Sequence, residues 1–370
     1  MKPLHRRLES VVLVLAGSLA AIFLAEASLW ALDLPREAPF LQEFQGAGFK
    51  LMCYDANPSG ALDIDLRDPQ RRAVWEARFA REGTAQAFAA HWRETPFAVE
   101  VRLNSLGFRD VEFPPKRAGV QRIVVVGDSF TYGHGLPEAD SYPRRLEALL
   151  RAQRPDPPVE VLDAAAGGDD LATIAPVAAF ALEQLAPDVL VYGYFLNDPL
   201  RPTAAYGDGI EPMLDAAWLR REREGFRFSL GGRPHAGLRL VELARGVLEG
   251  RRLTRATLEW YRKIHQPQSW APSGRAIEAM AQDARERGAR FVLLVLPVIW
   301  ELDGDYPLAD VHARIVDYAR AHGIEVLDAL PVLRGHADAE LMLHPRDRHP
   351  NPTYARLVAE ALAGRLGGRP

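Results

Sequence analysis

The sequence predicts an α/β fold, a three-layer sandwich built around a central parallel five-stranded sheet. From residue 122 onward, short segments rich in β-branched residues alternate with segments of helical periodicity, as a parallel sheet with crossover helices requires. The run Phe291–Pro297 is apolar without interruption, which is typical of a strand buried on both faces. Ahead of this domain we expect an N-terminal transmembrane or signal helix and a small appendage.

Residues 1–34 predict a segment that enters the membrane. Basic side chains precede an apolar run over residues 11–32, which Glu26 interrupts. The run is long enough to cross a bilayer, and the positive-inside rule places the rest of the chain outside the cytoplasm. We therefore expect a single anchor in the inner or plasma membrane, with the main domain in the periplasm. Because Ala25-Glu26-Ala27 also fits a small-x-small cleavage pattern, secretion after cleavage near Ala27 is the alternative. The basic residues are Lys2, Arg6 and Arg7.

The remaining chain divides into an appendage, residues 35–120, and one domain, residues 121–370. In the appendage we predict a helix over Arg71–Trp92 and an alternating strand over Phe97–Leu103. In the domain, an insertion at about residues 199–270 carries several aromatic side chains, which suits a lid, a carbohydrate-stacking wall or a small satellite core. The predicted strands are Ile123–Val126, Val159–Leu162, Val189–Tyr194, Phe291–Pro297 and Glu325–Leu327. The predicted helices are Tyr142–Gln153, Leu171–Leu185, Ala276–Arg287, Leu308–Ala321 and Thr353–Leu366.

Composition argues against several classes of function. The formal net charge of −4 argues against general binding of nucleic acid. Cys53 is the only cysteine, so neither an intramolecular disulfide nor a zinc–thiolate cluster is possible. The chain contains no P-loop and no strand-bound G-x-G-x-x-G fingerprint. We therefore expect neither a cofactor nor a resident metal.

A serine at the end of the first predicted strand is the candidate nucleophile. Three valines lead directly into Gly127-Asp128-Ser129, and a helical pattern begins a few residues later. Such a turn lifts one hydroxyl to the edge of the sheet, where open α/β proteins bind their ligands. A helix N-cap or a phosphate-binding turn would use the same residues.

A second polar segment precedes the predicted final helix and offers a base for that serine. A serine nucleophile needs a general base, and a histidine base needs a carboxylate to fix its tautomer. Asp347 and His349 supply both from one loop. Two other interpretations remain open: a polar loop in which Asn351 caps the helix, and a metal site formed by His344, Asp347 and His349.

Four segments in order give the chain its resemblance to a known family, the SGNH or GDSL-type serine hydrolases. The resemblance extends from Asn104 to Leu366 and implies the flavodoxin-like SGNH hydrolase fold. Any one segment alone is weak support, but all four stand in the family's order. The segments are Gly127–Phe130, Val161–Gly168, Leu196–Asp198 and Asp347–His349.

The family's site residues can be carried over to the matching positions of this chain. The resemblance implies that Ser129 is the nucleophile, His349 the general base and Asp347 the acid that orients the imidazole. It also implies an oxyanion hole formed by the backbone N–H groups of Ser129 and Gly168 and the side-chain amide of Asn197, with Gly167 as the alternative to Gly168.

The chain departs from the family pattern at two positions. Phe195 stands where the family usually has a glycine, which bears on the shape of the acyl pocket. Asp163 stands where the family often has an asparagine, and a buried carboxyl there must be hydrogen-bonded or protonated. Among the histidines outside the triad, His134 is nearer the serine in sequence than His235 and is the better candidate to touch substrate.

The resemblance implies an exported serine esterase or acyl hydrolase that cleaves ester bonds, with acylated carbohydrate or lipid as the substrate class. The expected partners are a small-molecule or carbohydrate ester and the membrane, the latter through residues 11–32. An O-acyltransferase of cell-envelope polysaccharide would use the same triad, with a sugar hydroxyl in place of water. A non-catalytic SGNH-like binding module is the alternative from another class.

Overall fold

The computed structural model describes residues 2–32, 91–94, 99–102, 104, 106–167, 169–199, 240, 255, 257–344 and 347–367. The chain forms two compact units, one of Met1–Pro39 with Thr203–Trp260 and one of Phe40–Pro202 with Tyr261–Pro370. The second unit contains the sheet. Most of the predicted insertion and appendage lies outside the described residues.

The predicted parallel five-stranded sheet is confirmed. Its strands follow the order β4-β3-β5-β6-β7, and every neighbouring pair is parallel. The three inner strands, β3, β5 and β6, carry long apolar runs because both of their faces are covered. All five strands end at one edge, so the segments that follow them meet there. The strands are β3 Gln121–Gly127, β4 Val159–Asp163, β5 Val189–Phe195, β6 Arg290–Leu296 and β7 Glu325–Asp328.

Helices flank the sheet and complete the sandwich. The first helix after β3 is a short one, α2 (Ser129–Tyr132). Of the longer helices, α3 packs against α9, the last helix of the chain, and α4 packs against α5. α4 continues into a π-helical turn at Ala181–Leu185. The longer helices are α3 Tyr142–Gln153, α4 Leu171–Phe180, α5 Pro267–Glu286, α6 Ala309–Ala321 and α9 Pro352–Gly367. The short ones are α7 Leu330–Leu333 and α8 Asp338–Leu341.

Two predicted helices need correction. The helix expected at Ala276–Arg287 begins at Pro267, because Pro267 occupies the first turn, where a missing N–H costs nothing. The helix expected over Arg71–Trp92 cannot include its last residues. His91–Glu94 is a strand, β1, paired antiparallel with β2 (Val99–Arg102), and its backbone groups are committed to that ladder. Residues 71–90 lie outside the described part.

The N-terminal helix α1 extends over Lys2–Ala31. Its stretch Leu13–Ala31 is 19 residues long, has a mean hydropathy of 1.8 and is not buried. Near its end, the Trp30 indole donates to a Glu26 carboxylate oxygen at 3.1 Å, which gives the one acidic residue of this stretch a local partner. By length and composition the helix is able to cross a membrane or to serve as a signal peptide.

Candidate active site

The candidate nucleophile stands in a sharp turn between β3 and α2. Asp128 caps the helix, since its Oδ1 accepts a hydrogen bond from the Phe130 N–H at 2.9 Å. Ser129 is therefore the first helical residue. Gly133 ends the helix in the left-handed region, with φ of 74°. A helix of four residues held at both ends fixes the serine at the carboxyl edge of the sheet.

Two paired glycines let this turn lie close to the next strand. Gly127 in β3 and Gly193 in β5 are register partners. A Cβ on either one would collide with the Thr131 hydroxyl, and a Cβ on Gly127 would also lie 2.8 Å from the Gly193 carbonyl oxygen. The same hydroxyl is hydrogen-bonded to Tyr142 at 2.9 Å. The glycine of the first sequence segment is thus required by packing.

The structure brings together the serine and the histidine named by the sequence. His349 Nε2 lies 2.9 Å from Ser129 Oγ, although the two residues are 220 positions apart. His349 belongs to β9 (Asp347–Pro350), which pairs antiparallel with β8 (Met342–His344). The distance is that of a direct hydrogen bond between a hydroxyl and an imidazole.

The segment that carries the histidine also caps the last helix. Asn351 Oδ1 accepts hydrogen bonds from the N–H groups of Thr353 at 2.9 Å and Tyr354 at 3.2 Å. The capping interpretation of this segment is therefore correct, and it coexists with the placement of His349 beside the serine. The cap fixes where α9 begins and so where β9 ends.

Two aromatic rings lie beside the imidazole of His349. The His134 ring centroid lies 4.4 Å from that of His349, and the Phe130 ring lies 5.5 Å from it. Phe195, where the family usually has a glycine, stacks on Phe130 with centroids 3.7 Å apart. Its bulk therefore lies against α2, the helix that begins with Ser129. The predicted neighbour His134 is at the site; His235 lies outside the described residues.

The loop after β4 lies beside the nucleophile strand. Ala164 N–H donates to the Val125 carbonyl at 2.8 Å, and Ala166 N–H donates to the Gly127 carbonyl at 3.2 Å. Gly168, the predicted second oxyanion donor, lies outside the described residues. The loop that leads to it is thus placed next to the serine turn, and the donor itself stays a prediction.

Asp163, at the end of β4, is a buried and hydrogen-bonded carboxyl. Its Oδ1 accepts from the Ala165 N–H at 3.0 Å. Burial, together with the nearby charge of Asp110, raises the pKa of this carboxyl well above its ordinary value. The protonated form of Asp163 is therefore favoured relative to an exposed carboxyl.

The turn after β5 carries the predicted third oxyanion donor. Asn197 is half-buried and follows β5 at the same edge as Ser129. The turn is fixed by Asp198, whose Oδ2 accepts from the Tyr192 hydroxyl at 2.9 Å and from the Phe195 N–H at 3.0 Å. Burial, together with the neighbouring Asp128 carboxyl, raises the pKa of Asp198 well above its ordinary value.

For Asp347, the predicted triad acid, the structure describes the backbone alone. Asp347 lies in β9, two residues before His349, but its side chain and that of His344 lie outside the described residues. The metal interpretation depends on the same two side chains, so both the triad acid and the metal alternative stay predictions. Among the described residues, no group of three His, Cys, Asp or Glu side chains is arranged to hold a metal ion.

Sequence reasoning gave no role to Arg109, whose side chain is buried below the nucleophile turn. It donates to the carbonyl oxygens of Tyr132 and Gly133 at 3.3 and 2.7 Å. The signal was present in part, because Asn104–Asp110 belongs to the resemblance. Its composition alone does not say that an arginine there faces inward.

Comparison with known proteins gives a family match over the same region. The model of the GDSL-like Lipase/Acylhydrolase family matches residues 125–357. No curated protein sequence matches the chain significantly. Similar solved structures include TesA, at 18% identity and a TM-score of 0.41, covering 66% of this chain and 98% of that one. A catalytic mutant of Axe2, an acetylxylan esterase from Geobacillus stearothermophilus, is 13% identical with a TM-score of 0.41, covering 67% and 95%. A member of the lipolytic protein G-D-S-L family from Veillonella parvula DSM 2008 is 14% identical with a TM-score of 0.38, covering 67% and 100%.

Proposed function

Because the chain belongs to the GDSL-like lipase/acylhydrolase family, and so is an ester-bond hydrolase, we propose that Ser129 is its nucleophile and His349 its general base. The observation that carries the proposal is the 2.9 Å separation between His349 Nε2 and Ser129 Oγ. A neutral imidazole at that distance accepts the hydroxyl proton without any movement of the backbone.

The reaction proceeds in two halves. Ser129 Oγ attacks the ester carbonyl carbon while its proton passes to His349 Nε2. The protonated imidazole then donates that proton to the departing alcohol oxygen, which leaves an acyl group on Ser129. Water enters, His349 removes its proton, and the carboxylic acid product is released as Ser129 Oγ regains a proton.

Four further groups complete the proposed machinery. Asp347 accepts the Nδ1–H of His349, which holds the imidazole in the tautomer with a free Nε2. The backbone N–H groups of Ser129 and Gly168 and the side-chain amide of Asn197 stabilise the oxyanion. Loss of one such donor is expected to cost about 3 kcal/mol of transition-state stabilisation. The support for the oxyanion donors is that Ser129, the loop that leads to Gly168, and Asn197 follow β3, β4 and β5, which end at one edge of the sheet.

The proposed location is the outer side of the inner or plasma membrane, with α1 as an uncleaved anchor. The support is the apolar stretch Leu13–Ala31 and the basic residues that precede it. An exported esterase in this position meets acylated carbohydrate or lipid, the substrate class that we propose.

The test uses the full-length chain in detergent with p-nitrophenyl acetate and butyrate as substrates. We expect Ser129→Ala to lower kcat by about 10³-fold or more, because an activated serine cannot be replaced by water in the same geometry. A fluorophosphonate should label the wild-type chain covalently and leave the variant unlabelled.

Ser141→Ala is the matched control, since Ser141 is buried in the same unit and its side chain makes no capping bond. It should retain wild-type turnover and labelling. Wild-type turnover in the Ser129 variant would refute the assignment of the nucleophile.

A further inference from the structure

A compact turn precedes the family-matched region and is held together by hydrogen bonds of its own. Asn104 Oδ1 accepts from the N–H groups of Leu106 and Phe108, both at 3.0 Å, and its Nδ2 donates to the Val111 carbonyl at 3.1 Å. Gly107 takes a left-handed φ of 77° and reverses the chain. We call Asn104 with residues 106–111 the supporting turn.

The supporting turn places one positively charged side chain, that of Arg109, next to the end of α2. Arg109 is 2% exposed, and its Nη1 donates to the carbonyl oxygens of Gly133 at 2.7 Å and Tyr132 at 3.3 Å. Its Nη2 donates to the Leu136 carbonyl, and its guanidinium lies 5.1 Å from the centre of the Tyr132 ring. The planar guanidinium has several N–H donors at fixed angles, so it can donate hydrogen bonds to carbonyl oxygens that lie in different directions.

The three carbonyls belong to residues 132–136, which we call the 132–136 loop, and this loop touches both proposed catalytic residues. Gly133 and His134 each donate a backbone hydrogen bond to the Ser129 carbonyl at 3.1 Å. The His134 ring lies 4.4 Å from the His349 ring. The loop therefore contacts the nucleophile through its backbone and the base through a side chain.

The supporting turn also reaches the second segment of the site. Asp110 Oδ2 accepts from the Asp163 N–H at 2.7 Å and from Arg144 at 3.1 Å. Asp163 is the last residue of β4, just before the loop that approaches the serine. Two consecutive residues of one turn thus hold two neighbouring loops of the site.

We propose that Arg109 is a positioning residue for the serine–histidine pair, acting through the 132–136 loop. The proposal rests on the proposed function of Ser129 and His349. Arg109 itself takes no part in bond making. Its charge is directed at three carbonyl oxygens of the loop, and the orientation of the Ser129 backbone and the His349 ring follows from where that loop is held.

Arg109→Met tests the proposal, with Arg122→Met as the matched control. Arg122 is also buried, at 1% exposed, and also holds two carbonyls, those of Leu185 and Pro114, besides Glu160. It is the second residue of β3 and so stands at the opposite end of that strand from Ser129. Both variants remove a buried guanidinium, but only one removes it from the candidate site.

The measurements are kcat and KM for p-nitrophenyl acetate, the rate of fluorophosphonate labelling, and the thermal midpoint of the full-length chain in detergent. At a temperature where both variants are folded, Arg109→Met should lower kcat and the labelling rate by about 10²-fold, with KM changed by less than about threefold. Arg122→Met should lower the thermal midpoint and leave kcat and labelling unchanged.

Equal kcat in Arg109→Met and the wild type would overturn the proposal, as would parallel losses in the two variants. If Arg109→Met does not fold, the kcat of Arg109→Lys tests the proposal instead. One ammonium cannot hold three spread carbonyls, so a folded Arg109→Lys chain with wild-type kcat would also overturn it. Ser129→Ala is measured alongside. Its full activity would defeat the proposed function, whereas an inactive Ser129 variant beside a normal Arg109 variant defeats this inference alone.

Discussion

At the scale of single residues, burial governs the charges around Ser129. The Asp128 carboxyl is fully buried, which raises its pKa from the ordinary 3.8 to about 7, although the bond from the Phe130 N–H opposes this rise. Its Oδ2 lies 3.4 Å from Ser129 Oγ. A carboxylate at this position would repel an oxyanion forming nearby. Burial keeps a substantial fraction of this carboxyl protonated near neutral pH and most of it protonated at lower pH, which reduces that repulsion.

Asp128→Asn should make the folded state less sensitive to pH. The carboxyl of Asp128 has a higher pKa folded than unfolded, so the stability it contributes is complete below about pH 4 and is lost as the pH rises through about 7. Asparagine mimics the neutral acid at every pH. The thermal midpoint of the variant relative to the wild type should therefore increase between pH 5 and pH 8. If the difference between the two thermal midpoints is constant over that range, the proposal that the buried Asp128 carboxyl is held in its neutral form is wrong.

The triad and the metal interpretations make opposite predictions for neighbouring residues. If His349 is the base, His349→Ala should lose about as much kcat as the serine variant, and Asp347→Ala somewhat less, because triad members act as a unit. His344→Ala should be mild, and EDTA should have no effect on turnover of the full-length chain. An essential His344, with activity lost to EDTA and restored by added metal, would favour the metal site.

At the scale of elements, the junction of β3, α2 and β5 determines where the serine stands. Gly127 and Gly193 face the Thr131 hydroxyl, and that hydroxyl bonds Tyr142 at the start of α3. Four segments thus meet where no added atom can be accommodated. Core packing at such a contact is destabilised by even one extra methyl group.

Gly193→Ala should lower the free energy of unfolding by about 1–3 kcal/mol, because the new Cβ meets Thr131 and Tyr142 side-chain oxygens. Gly364→Ala is the control: Gly364 is exposed in α9 and its added Cβ would meet nothing within 4 Å. That change should raise stability by up to about 1 kcal/mol through helix propensity. Chemical denaturation of both variants checks the pair, and a neutral Gly193 variant would show that the junction tolerates the extra atom.

The elements were predictable from the sequence to the extent that their signals are local. The β-branched runs give all five parallel strands within two residues of their observed bounds. The start of α5 at Pro267 was missed, since Pro272 in its second turn disfavours a helix in isolation and tertiary packing overrides it. In the site, the serine–histidine pair follows from motif order. The inward direction of Arg109 does not, because it depends on carbonyls that only the folded 132–136 loop brings together.

At the scale of the whole molecule, the chain combines a family-matched domain with a helix able to enter a membrane. The alternatives left by the sequence are an anchor and a cleaved leader. With either alternative we expect the domain on the outer side of the membrane. The two differ in whether the mature protein stays attached to the membrane. The choice decides whether the enzyme meets substrates that diffuse or substrates held at the surface.

A fusion of alkaline phosphatase after Pro370 tests export, since that reporter is active only after it has crossed the bacterial inner membrane. We expect an active fusion, and carbonate-washed membranes should retain the full-length protein if residues 11–32 anchor it. A soluble form that begins at Ser28 would show cleavage after Ala27 instead. An inactive fusion, produced at a normal level, would rule out export.

The separation of Ser129 and His349 by 220 positions has a consequence for the timing of activity. In the proposed mechanism, the nucleophile Ser129 emerges from the ribosome early and its base His349 late, with most of the sheet between them. A nascent chain, or one halted during translocation, therefore carries a serine that has no base. Hydrolysis begins only after the segment through α9 has been synthesised and folded, on whichever side of the membrane that segment arrives.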